Sequence, residues 1–495
     1  MEFFLIAIRT AFSPVGILVN MIGVLAGIIF GALPGLNGVV GVALLLPLTY
    51  NMSPAMGLII LAGLYMGSSY GGSISAILLN CPGTGEAACT ALNGNPLAKQ
   101  GRAKEALFYS CVSSGFGGLF GVTVMMLFTP ILAAAALRFG PAELFLVSLL
   151  GLAVVGSLMG KNIAKGFFAV AFGLILSIVG MDATSVNYRF TFSNYHLQAG
   201  ISLIPLSVGC FAIAEMLTLA VRDVDSSFAT DKMDNINLAE LFRRFAKRWR
   251  IIIKSSIIGT IIGILPGTGG AIASFIAYGE AMRTSKESSQ FGNGAVDGII
   301  APECANNAAV GGSFVPLLSL GIPGSSTSAI IFGALTIHGM IPGPKLFSDN
   351  ADAVYALMLG LFLSVIFMVI YGLSCTNFFT KFLKIKTKYI IPAVIVFAIF
   401  GAYSARGNEF DILLAIIFGA VGLLFKKNSI PVAPAVLGMI LGSMTEQNLR
   451  QAMTIASAKQ INIILFTVAR PISIVVIILI VLILWGNMKT NLREK

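Results

Sequence analysis

The chain has 495 residues, of which 57% are hydrophobic and only 11% are charged, and its net charge is +11. Soluble domains carry about 25% charged residues, so this composition excludes a soluble protein and predicts an integral, multi-pass membrane protein. Because cytoplasmic loops of such proteins are rich in lysine and arginine, the positive charge is explained without a nucleic-acid partner.

The first half contains repeated apolar segments that approach the roughly 20 residues needed to cross a bilayer. We predict spans at residues 15–30, 53–70, 106–137, 142–159, 166–179 and 199–219. Two stretches beside these spans are rich in glycine, proline and asparagine: GALPGLNG at 31–38 and GGSISAILLNCPGTG at 71–85. Non-helical backbone persists at membrane depth only where protein buries it or where it lines a wet cavity, so both stretches are predicted parts of a site.

Residues 223–250 are predicted to be a polar, cytoplasmic connector between two membrane halves. Apolar side chains recur at helical spacing among its arginines and lysines: Leu238, Leu241, Phe242, Phe245 and Trp249. This pattern is typical of a basic amphipathic helix that lies on the membrane surface. A helix that docks a partner protein is the alternative interpretation.

The second half begins with a predicted span at 251–265, which ends in GILPGTGG at 263–270. The stretch from 301 to 347 is apolar enough for the membrane interior, but we expect its glycines, prolines, asparagines and serines to interrupt a spanning helix. Further spans are predicted at 354–373, 390–403, 412–424, 432–444 and 461–485. The whole chain is therefore expected to be all-α, with about ten to twelve membrane segments.

Four short motifs occur twice in the same order. GxLPGxxG spans 31–38 and 263–270, Gly-Gly-Ser spans 71–73 and 311–313, Pro-Gly spans 82–83 and 323–324, and Asn93-Gly94 corresponds to His338-Gly339. The constant order, at offsets of 232 to 245 residues, predicts an internal repeat. Residues 1–222 form the first copy, with a re-entrant hairpin at about 71–98, and residues 251–495 form the second, with a hairpin at about 304–347.

The basic residues set the predicted orientation of the two copies. The positive-inside rule puts the basic stretches at 232–254, 381–388 and 426–427 in the cytoplasm. Counting spans from them places the first hairpin toward the cytoplasm and the second toward the outside. Inverted repeats with paired broken segments are typical of secondary transporters, whose site lies near the midplane. Glycines that serve only helix packing are the alternative, although packing needs neither proline nor clustered hydroxyl and amide groups.

Broken helices expose N–H groups that favour anions and carbonyl groups that favour cations. The predicted substrate-binding residues are the polar and turn residues at these breaks: Asn37, Ser73, Ser75, Pro82, Gly83, Thr84, Thr268, Asn306, Asn307, Ser313, Gly324, Ser325 and Ser326. The predicted cation-coupling residues are Glu303, Gly35, Gly267 and Thr327. For each hydroxyl the alternative stays open that it bonds only to the backbone of its own helix.

Glu303 is the most specific of these predictions. An ionisable group at membrane depth is a functional hypothesis by default, and Glu303 could carry a proton or help bind a cation. The alternative is a solvated carboxylate at a helix start, where the helix dipole favours negative charge.

Several other functions have little support in the sequence. There are two histidines and no HExxH, and the six cysteines form no CxxC pair, so no zinc site or disulfide framework is expected. A phosphate-binding GxxxxGK[ST] loop is missing, which favours coupling to a co-transported Na⁺ or H⁺ over direct use of ATP. A membrane hydrolase needs a nucleophile paired with a base, and the sequence offers no such pair in the membrane. An ion or solute channel remains the alternative function.

The chain contains the motifs GALPGLNG, YGGSISAILLNCPGTGEA, NGNPLAKQG, GILPGTGGAIASFIAYGEA, APECANNAAVGGSFVPLLSLGIPGS and HGMIPGPKLF. In these motifs the chain resembles the large membrane subunit of the bacterial tripartite tricarboxylate transporter family, and the likeness covers nearly the whole length. The resemblance implies a translocating subunit of the inner membrane that works with a small membrane subunit and a periplasmic solute-binding protein. It also implies gradient-driven uptake of an organic carboxylate such as a tricarboxylate, a dicarboxylate or an aromatic acid. An elevator-like movement is expected only by analogy with other transporters built from inverted hairpins.

Overall fold

The computed structural model describes residues 2–33, 36–158, 163–182, 187–220, 237–267, 269–375, 387–404, 406–468 and 470–481. About 81% of the structure is helical. The strands in these residues are one short antiparallel pair, β1 (Gly180–Met181) and β2 (Tyr188–Arg189), in which Gly180 lies opposite Arg189. The prediction of an all-α protein is confirmed.

The helices of the first half follow the predicted spans, with shorter helices between them. They are α1 (Glu2–Ala11), α2 (Pro14–Ala32), α3 (Gly38–Leu45), α4 (Pro54–Leu79), α5 (Ala88–Leu97), α6 (Ala103–Ala136), α7 (Pro141–Leu158), α8 (Ile163–Ser177), α9 (Leu203–Ser207) and α10 (Ala214–Ala220). One-turn 3₁₀ or π segments continue or connect several of them: Leu46–Asn51, Ala98–Arg102, Tyr195–Leu197 and Val208–Ile213.

The second half has a similar succession of long and short helices. They are α11 (Leu238–Ala246), α12 (Trp249–Ile264), α13 (Gly269–Thr284), α14 (Asp297–Leu320), α15 (Ser326–Ile337), α16 (Leu346–Asp349), α17 (Ala351–Ser374), α18 (Thr387–Ser404), α19 (Glu409–Lys427), α20 (Ala433–Ala458), α21 (Ile463–Val468) and α22 (Pro471–Val481). A 3₁₀ turn at Ser288–Gln290 lies between α13 and α14.

Five helical segments of the described residues are long and apolar enough to cross a membrane. They are Pro14–Ala32, Pro54–Leu79, Ala88–Ala136, Leu203–Ala220 and Ala351–Ser374. Six further apolar helices are shorter, including α15 and α22. The chain is therefore a multi-pass membrane protein, and the predicted total of about ten to twelve segments stays a prediction.

Close glycine contacts hold the central helices together. In α2, Gly27 and Gly31 face the backbone of α4, and a methyl group added to either would clash with the carbonyl oxygen of Leu64 or Ser68. In α12, a methyl group on Gly263 would lie 2.6 Å from the carbonyl oxygen of Ala309 in α14. Small residues let helix backbones approach this closely in membranes. Gly31 and Gly263 occupy matching positions of the predicted repeat, since each is the first residue of a GxLPGxxG motif.

The two long helices α4 and α14 end in the same kind of turn. Asn80 caps α4 with φ 53° and Gly321 caps α14 with φ 73°, both in the left-handed region. Beyond them the Gly83 N–H donates to the Gly72 carbonyl and the Gly324 N–H donates to the Ser313 carbonyl, each at 3.3 Å. The sequence repeat thus corresponds to a repeated local structure.

The helix breaks are narrower than the sequence suggested. The Gly-Gly-Ser motifs at 71–73 and 311–313 lie inside α4 and α14, and α14 runs without interruption through Pro302 and Pro316. The expectation that the glycines, prolines, asparagines and serines of residues 301–347 interrupt a spanning helix is therefore wrong for residues 301–320. The physical reason is that backbone groups in a dry interior keep their helical hydrogen bonds, while neighbouring helices compensate for glycine and proline.

The amphipathic connector helix is also shorter than predicted. Helix α11 ends at Ala246, and Trp249 already begins α12, while residues 221–236 lie outside the described residues. Leu241 and Phe245 are buried, and the Phe242 ring packs edge-on against the Phe108 ring of α6 at 4.9 Å between centroids. Part of the apolar face of α11 therefore covers α6 and not the lipid surface.

Candidate functional site

A polar cavity of about 130 Å³ lies where α3 and α15 begin. Asn37 caps α3, and its Oδ1 accepts from the Val40 N–H at 3.0 Å. Ser325 caps α15 in the same way, accepting from the Ser328 N–H at 3.1 Å. A methyl group on Gly38 would lie 3.8 Å from the Thr327 hydroxyl, so the first turns of the two helices lie within one side chain of each other.

Hydroxyl groups from both halves of the chain line this cavity, which we call the hydroxyl cavity. Its lining residues are Asn37, Gly38, Val39, Tyr65, Ser68, Ser69, Thr84, Gly85, Glu86 and Thr327. The Tyr65 hydroxyl lies 2.8 Å from the Ser325 Oγ and so joins α4 to the start of α15. The cavity is therefore built where helices from the two halves of the chain meet.

The electrostatics of the hydroxyl cavity favour an anion in one part and a cation in another. Two helix starts and the hydroxyl groups of Thr84 and Thr327 offer hydrogen-bond donors to a negative group, whereas the Ser68 and Ser69 hydroxyls already donate to the Tyr65 carbonyl. Glu86, which is half-buried, is the one charged residue of the lining. A larger cavity of about 560 Å³ lies between α8, α15 and α20, but it is mainly apolar and contains none of the predicted site residues.

Glu303 lies in a second polar cluster, which we call the Glu303 cluster. Its carboxylate is fully buried and accepts from Ser73 Oγ at 2.5 Å, from Ser114 Oγ at 2.6 Å and from Thr90 Oγ1. These donors come from α4, α6 and α5, so one carboxylate of α14 ties four helices together. Glu303 is the seventh residue of α14 and has no exposure, so the alternative of a solvated carboxylate at a helix start is wrong.

Two buried amides follow Glu303 on α14. Asn306 Nδ2 donates to the Ser69 carbonyl at 3.0 Å, and Asn307 Nδ2 donates to the Glu303 carbonyl at 3.3 Å. The Oδ1 atoms of both residues are buried without a hydrogen-bond partner. Because most buried polar atoms are hydrogen-bonded, each such orphan oxygen needs an explanation.

The structure distributes the remaining predicted residues over several environments. Ser75 and Ser313 donate to carbonyls of their own helices, at 3.1 and 2.8 Å, as the backbone-bonding alternative describes. Gly83 and Gly324 form the buried turns after α4 and α14, and Pro82 is exposed. Gly267 has φ 77° in the turn after α12, and Ser326 is the first residue of α15. Gly35 and Thr268 lie outside the described residues.

The sequence interpretation missed six polar or charged residues of these two clusters: Tyr65, Ser68, Ser69, Glu86, Thr90 and Ser114. One signal could have found two of them. Tyr65 and Ser69 recur at a spacing of four residues with Ser73, which was predicted, and so form a polar stripe on one face of an otherwise apolar span. Thr90 and Ser114 carry no such signal, because only the packing of α5 and α6 brings them to Glu303.

Comparison with known proteins decides the family. The sequence profile of the tripartite tricarboxylate transporter TctA family matches residues 17–437. The chain belongs to this family. The predicted resemblance is confirmed, and the chain is accordingly a membrane subunit of a transport system that has further subunits.

Two relatives come from Agrobacterium vitis. The chain is 37% identical over 449 residues to the "uncharacterized 52.8 kDa protein in TAR-I ttuC' 3'region". The aligned region covers 90% of the chain and 89% of that relative. It is 36% identical over 198 residues to the "uncharacterized protein in TAR-II ttuC' 3'region". Here the aligned region covers 40% of the chain and 82% of that relative. No solved structure matches the chain.

Proposed function

We propose that this subunit carries an organic carboxylate across the bacterial inner membrane, driven by a gradient of Na⁺ or H⁺. The observation that supports this most is the hydroxyl cavity, where the starts of α3 and α15 meet. Helix N-termini with hydroxyl donors bind carboxylates without a basic side chain. The candidate substrates are a tricarboxylate, a dicarboxylate and an aromatic acid.

The small membrane subunit and the periplasmic solute-binding protein are the proposed partners. The binding protein would deliver the carboxylate to the outer side of the chain, and the hydroxyl cavity would receive it. Of the residues predicted to bind substrate, Asn37, Thr84 and Ser325 line or cap the cavity, and we assign them this role. Thr327, predicted to couple a cation, lines the same cavity.

We also propose that the two copies of the repeat are inserted in opposite orientations and move as an elevator. The equivalent turns after α4 and α14, and the equivalent glycine contacts of α2 and α12, support a common structural unit. In this arrangement the divisions 1–222, 223–250 and 251–495 correspond to the first copy, the connector and the second copy. Inverted units around a midplane site are the architecture that alternating access requires.

The test is uptake of labelled citrate, a dicarboxylate and an aromatic acid by cells that produce all three proteins. Na⁺ and pH gradients are imposed separately. We expect accumulation of one carboxylate that collapses when one of the gradients is abolished. Uptake that needs neither gradient would contradict coupling and would favour the channel, which ionic-current recording would then detect.

Thr84→Val and Thr327→Val sharpen this test, because each removes a hydroxyl from the cavity and keeps the shape of the side chain. A hydrogen bond to a charged group contributes about 1.5–3 kcal/mol, so we expect at least a tenfold rise in the substrate concentration for half-maximal uptake. Thr218→Val is the matched control, since its hydroxyl donates to the Ala214 carbonyl of its own helix at 2.7 Å. Equal uptake by all three variants would contradict a role for the cavity.

A further inference from the structure

An orphan carbonyl oxygen and the side chain of Glu86 lie next to each other beside Gly270, at the start of α13. A methyl group added to Gly270 would lie 2.5 Å from Asn306 Oδ1 and 2.8 Å from Glu86 Cγ. Asn306 is only 2% exposed, and its Oδ1 has no hydrogen-bond partner. The amide orientation is fixed, because the other end of the same amide donates to the Ser69 carbonyl at 3.0 Å.

Glu86 has no basic partner among the residues that the structure describes. None of the ion pairs formed there includes it. It is half-buried and lines the hydroxyl cavity, so its charge is only partly solvated. The two side chains that carry these groups, Glu86 and Asn306, thus meet beside Gly270.

We propose that Glu86 and Asn306 Oδ1 bind a monovalent cation, Na⁺, beside Gly270. Carboxylate and amide oxygens are the ligands that hard cations prefer. One carboxylate neutralises one such ion, and the orphan oxygen of Asn306 gains the partner that it lacks. A Cβ at Gly270 would come within 2.5 Å of this oxygen and would compete with the ion for its neighbourhood. This inference rests on the proposed function, because it names the ion and the residues that would couple it to the carboxylate.

The position of Glu86 explains how the ion would couple to the substrate. Glu86 borders the cavity in which a carboxylate would bind, and two negative groups a few ångströms apart repel each other strongly in a partly desolvated site. A bound cation removes this repulsion, so each ligand strengthens the binding of the other. Such reciprocal linkage is what co-transport requires.

The Glu303 cluster is the contrasting case within the same helix bundle. Glu303 is also a carboxylate without a basic partner, but three hydroxyl groups donate to it. Its oxygens are already satisfied, whereas Asn306 Oδ1 is not. The inferred ion site therefore consists of Glu86, which the sequence did not single out, and Asn306, which was predicted to bind substrate.

The test measures thermal unfolding of the purified full-length chain in lipid nanodiscs, without any carboxylate. NaCl is titrated against choline chloride at constant ionic strength. We expect Na⁺ to raise the melting temperature of the wild-type protein in a saturable manner. Glu86→Gln and Gly270→Ala should each raise the Na⁺ concentration at half-effect at least tenfold, because one removes the charge and the other fills the site.

Gly279→Ala is the matched control, since it lies in the same helix with nothing within 4 Å of an added methyl group. It should respond to Na⁺ like the wild type. The melting temperature of each variant in choline chloride reports whether it folds. Glu86→Gln and Gly270→Ala alter different residues of the site, so that one variant still tests the site if the other does not fold. A wild-type response in both variants, or a wild-type protein that responds to pH and not to Na⁺, would overturn the inference.

Uptake measurements separate this inference from the proposed function. If Na⁺ binding depends on Glu86 but the cells accumulate none of the carboxylates, the ion site is supported and the proposed function is contradicted. If carboxylate uptake by Glu86→Gln has the same Na⁺ dependence as that of the wild type, the proposed function is supported and the ion site is contradicted.

Discussion

Glu303 is a buried carboxyl group whose oxygens accept hydrogen bonds from hydroxyl groups. Ser73, Thr90 and Ser114 donate to its two oxygens, and each donor belongs to a different helix. An ionised carboxylate only accepts hydrogen bonds, which suits three hydroxyl donors. This geometry makes Glu303 a residue that positions α4, α5 and α6 on α14.

The variant Glu303→Gln tests that role. The amide replaces one accepting oxygen with an NH₂ group that faces hydroxyl donors, so at least one charge-assisted hydrogen bond is lost. We expect the free energy of unfolding to fall by about 2 kcal/mol, measured as a lower melting temperature in nanodiscs. Glu240→Gln, at an exposed position of α11, should leave it unchanged.

The Na⁺ response of Glu303→Gln separates positioning from coupling. A positioning residue leaves the Na⁺ concentration at half-effect near the wild-type value. An unchanged melting temperature with a lost Na⁺ response would assign the coupling role to Glu303, as the sequence predicted.

For these residues the sequence indicated which group is important better than it indicated the contacts that the group makes. A lone glutamate in an apolar run indicated an important group, and it is fully buried. Its partners Thr90 and Ser114 could not be predicted, because they reach it only through the packing of α5 and α6. Glu86 was missed because it follows a turn, where a glutamate is ordinarily solvated.

The helix pairs α2–α4 and α12–α14 depend on direct backbone contact at glycines. Gly263 approaches the Ala309 carbonyl so closely that even a methyl group would lie 2.6 Å from it. Overpacking of this kind costs about 1–3 kcal/mol. The contact is made to backbone, which cannot move aside as a flexible side chain can.

We therefore expect Gly263→Ala to lower the melting temperature and the yield of monodisperse protein. Gly279→Ala on α13 introduces the same methyl group into open space and should change neither. Size-exclusion chromatography and thermal unfolding measure both quantities. If Gly263→Ala behaves like Gly279→Ala, the close approach of α12 to α14 is not what stabilises this pair.

An ion-pair group at the surface joins α12 to α13. Glu280 accepts from Arg283 Nη2 at 3.0 Å and from Lys254, and these hydrogen bonds lower the pKa of the Glu280 carboxyl from 4.5 to about 2. A lowered pKa in the folded state stabilises the fold fully above pH 4.5. That contribution is lost as the pH falls from 4.5 toward 2.

The prediction is a pH-dependent difference between the wild type and Glu280→Gln. The wild type should melt at a higher temperature than the variant by a constant margin above pH 5, and the margin should narrow below pH 4.5. Its size will be small, because pairs near the surface contribute little. A margin that grows on acidification would contradict the assignment.

The existence of most helices could be predicted from the sequence, but their ends could not. Hydropathy located the long segments α2, α4 and α6, since length and apolar composition are local properties. The Gly-Gly-Ser motifs were expected to interrupt helices and instead lie within α4 and α14. Glycine weakens a helix in water, whereas in a packed interior it permits helix contact, and the sequence alone does not distinguish these cases.

Across the whole molecule, hydrogen bonds connect basic segments with polar segments that lie far away in the chain. Gln100 donates to the Asn293 carbonyl at 3.0 Å, and Arg248 donates to Asp297 at 2.7 Å. Lys165 donates to the Asn428 carbonyl at 2.5 Å. The basic stretches near Lys99 and near Arg248 thus lie at one end of the molecule, as the positive-inside rule requires for a single orientation.

The inverted orientation of the two copies predicts opposite accessibility for the segments that flank the second hairpin. Ser289 precedes α14 and Ser348 follows α15, and both are exposed. If the cytoplasmic ends are assigned correctly, Ser348→Cys should react with a membrane-impermeant thiol reagent in intact spheroplasts. Ser289→Cys should react only after the membrane is opened.

The wild-type protein is the control, because its half-buried cysteines Cys81 and Cys375 set the background level of labelling. The segment between these positions would then cross the membrane a net odd number of times. Reaction of both cysteines from the same side would contradict this topology and would remove the geometric basis for alternating access between the two hairpins.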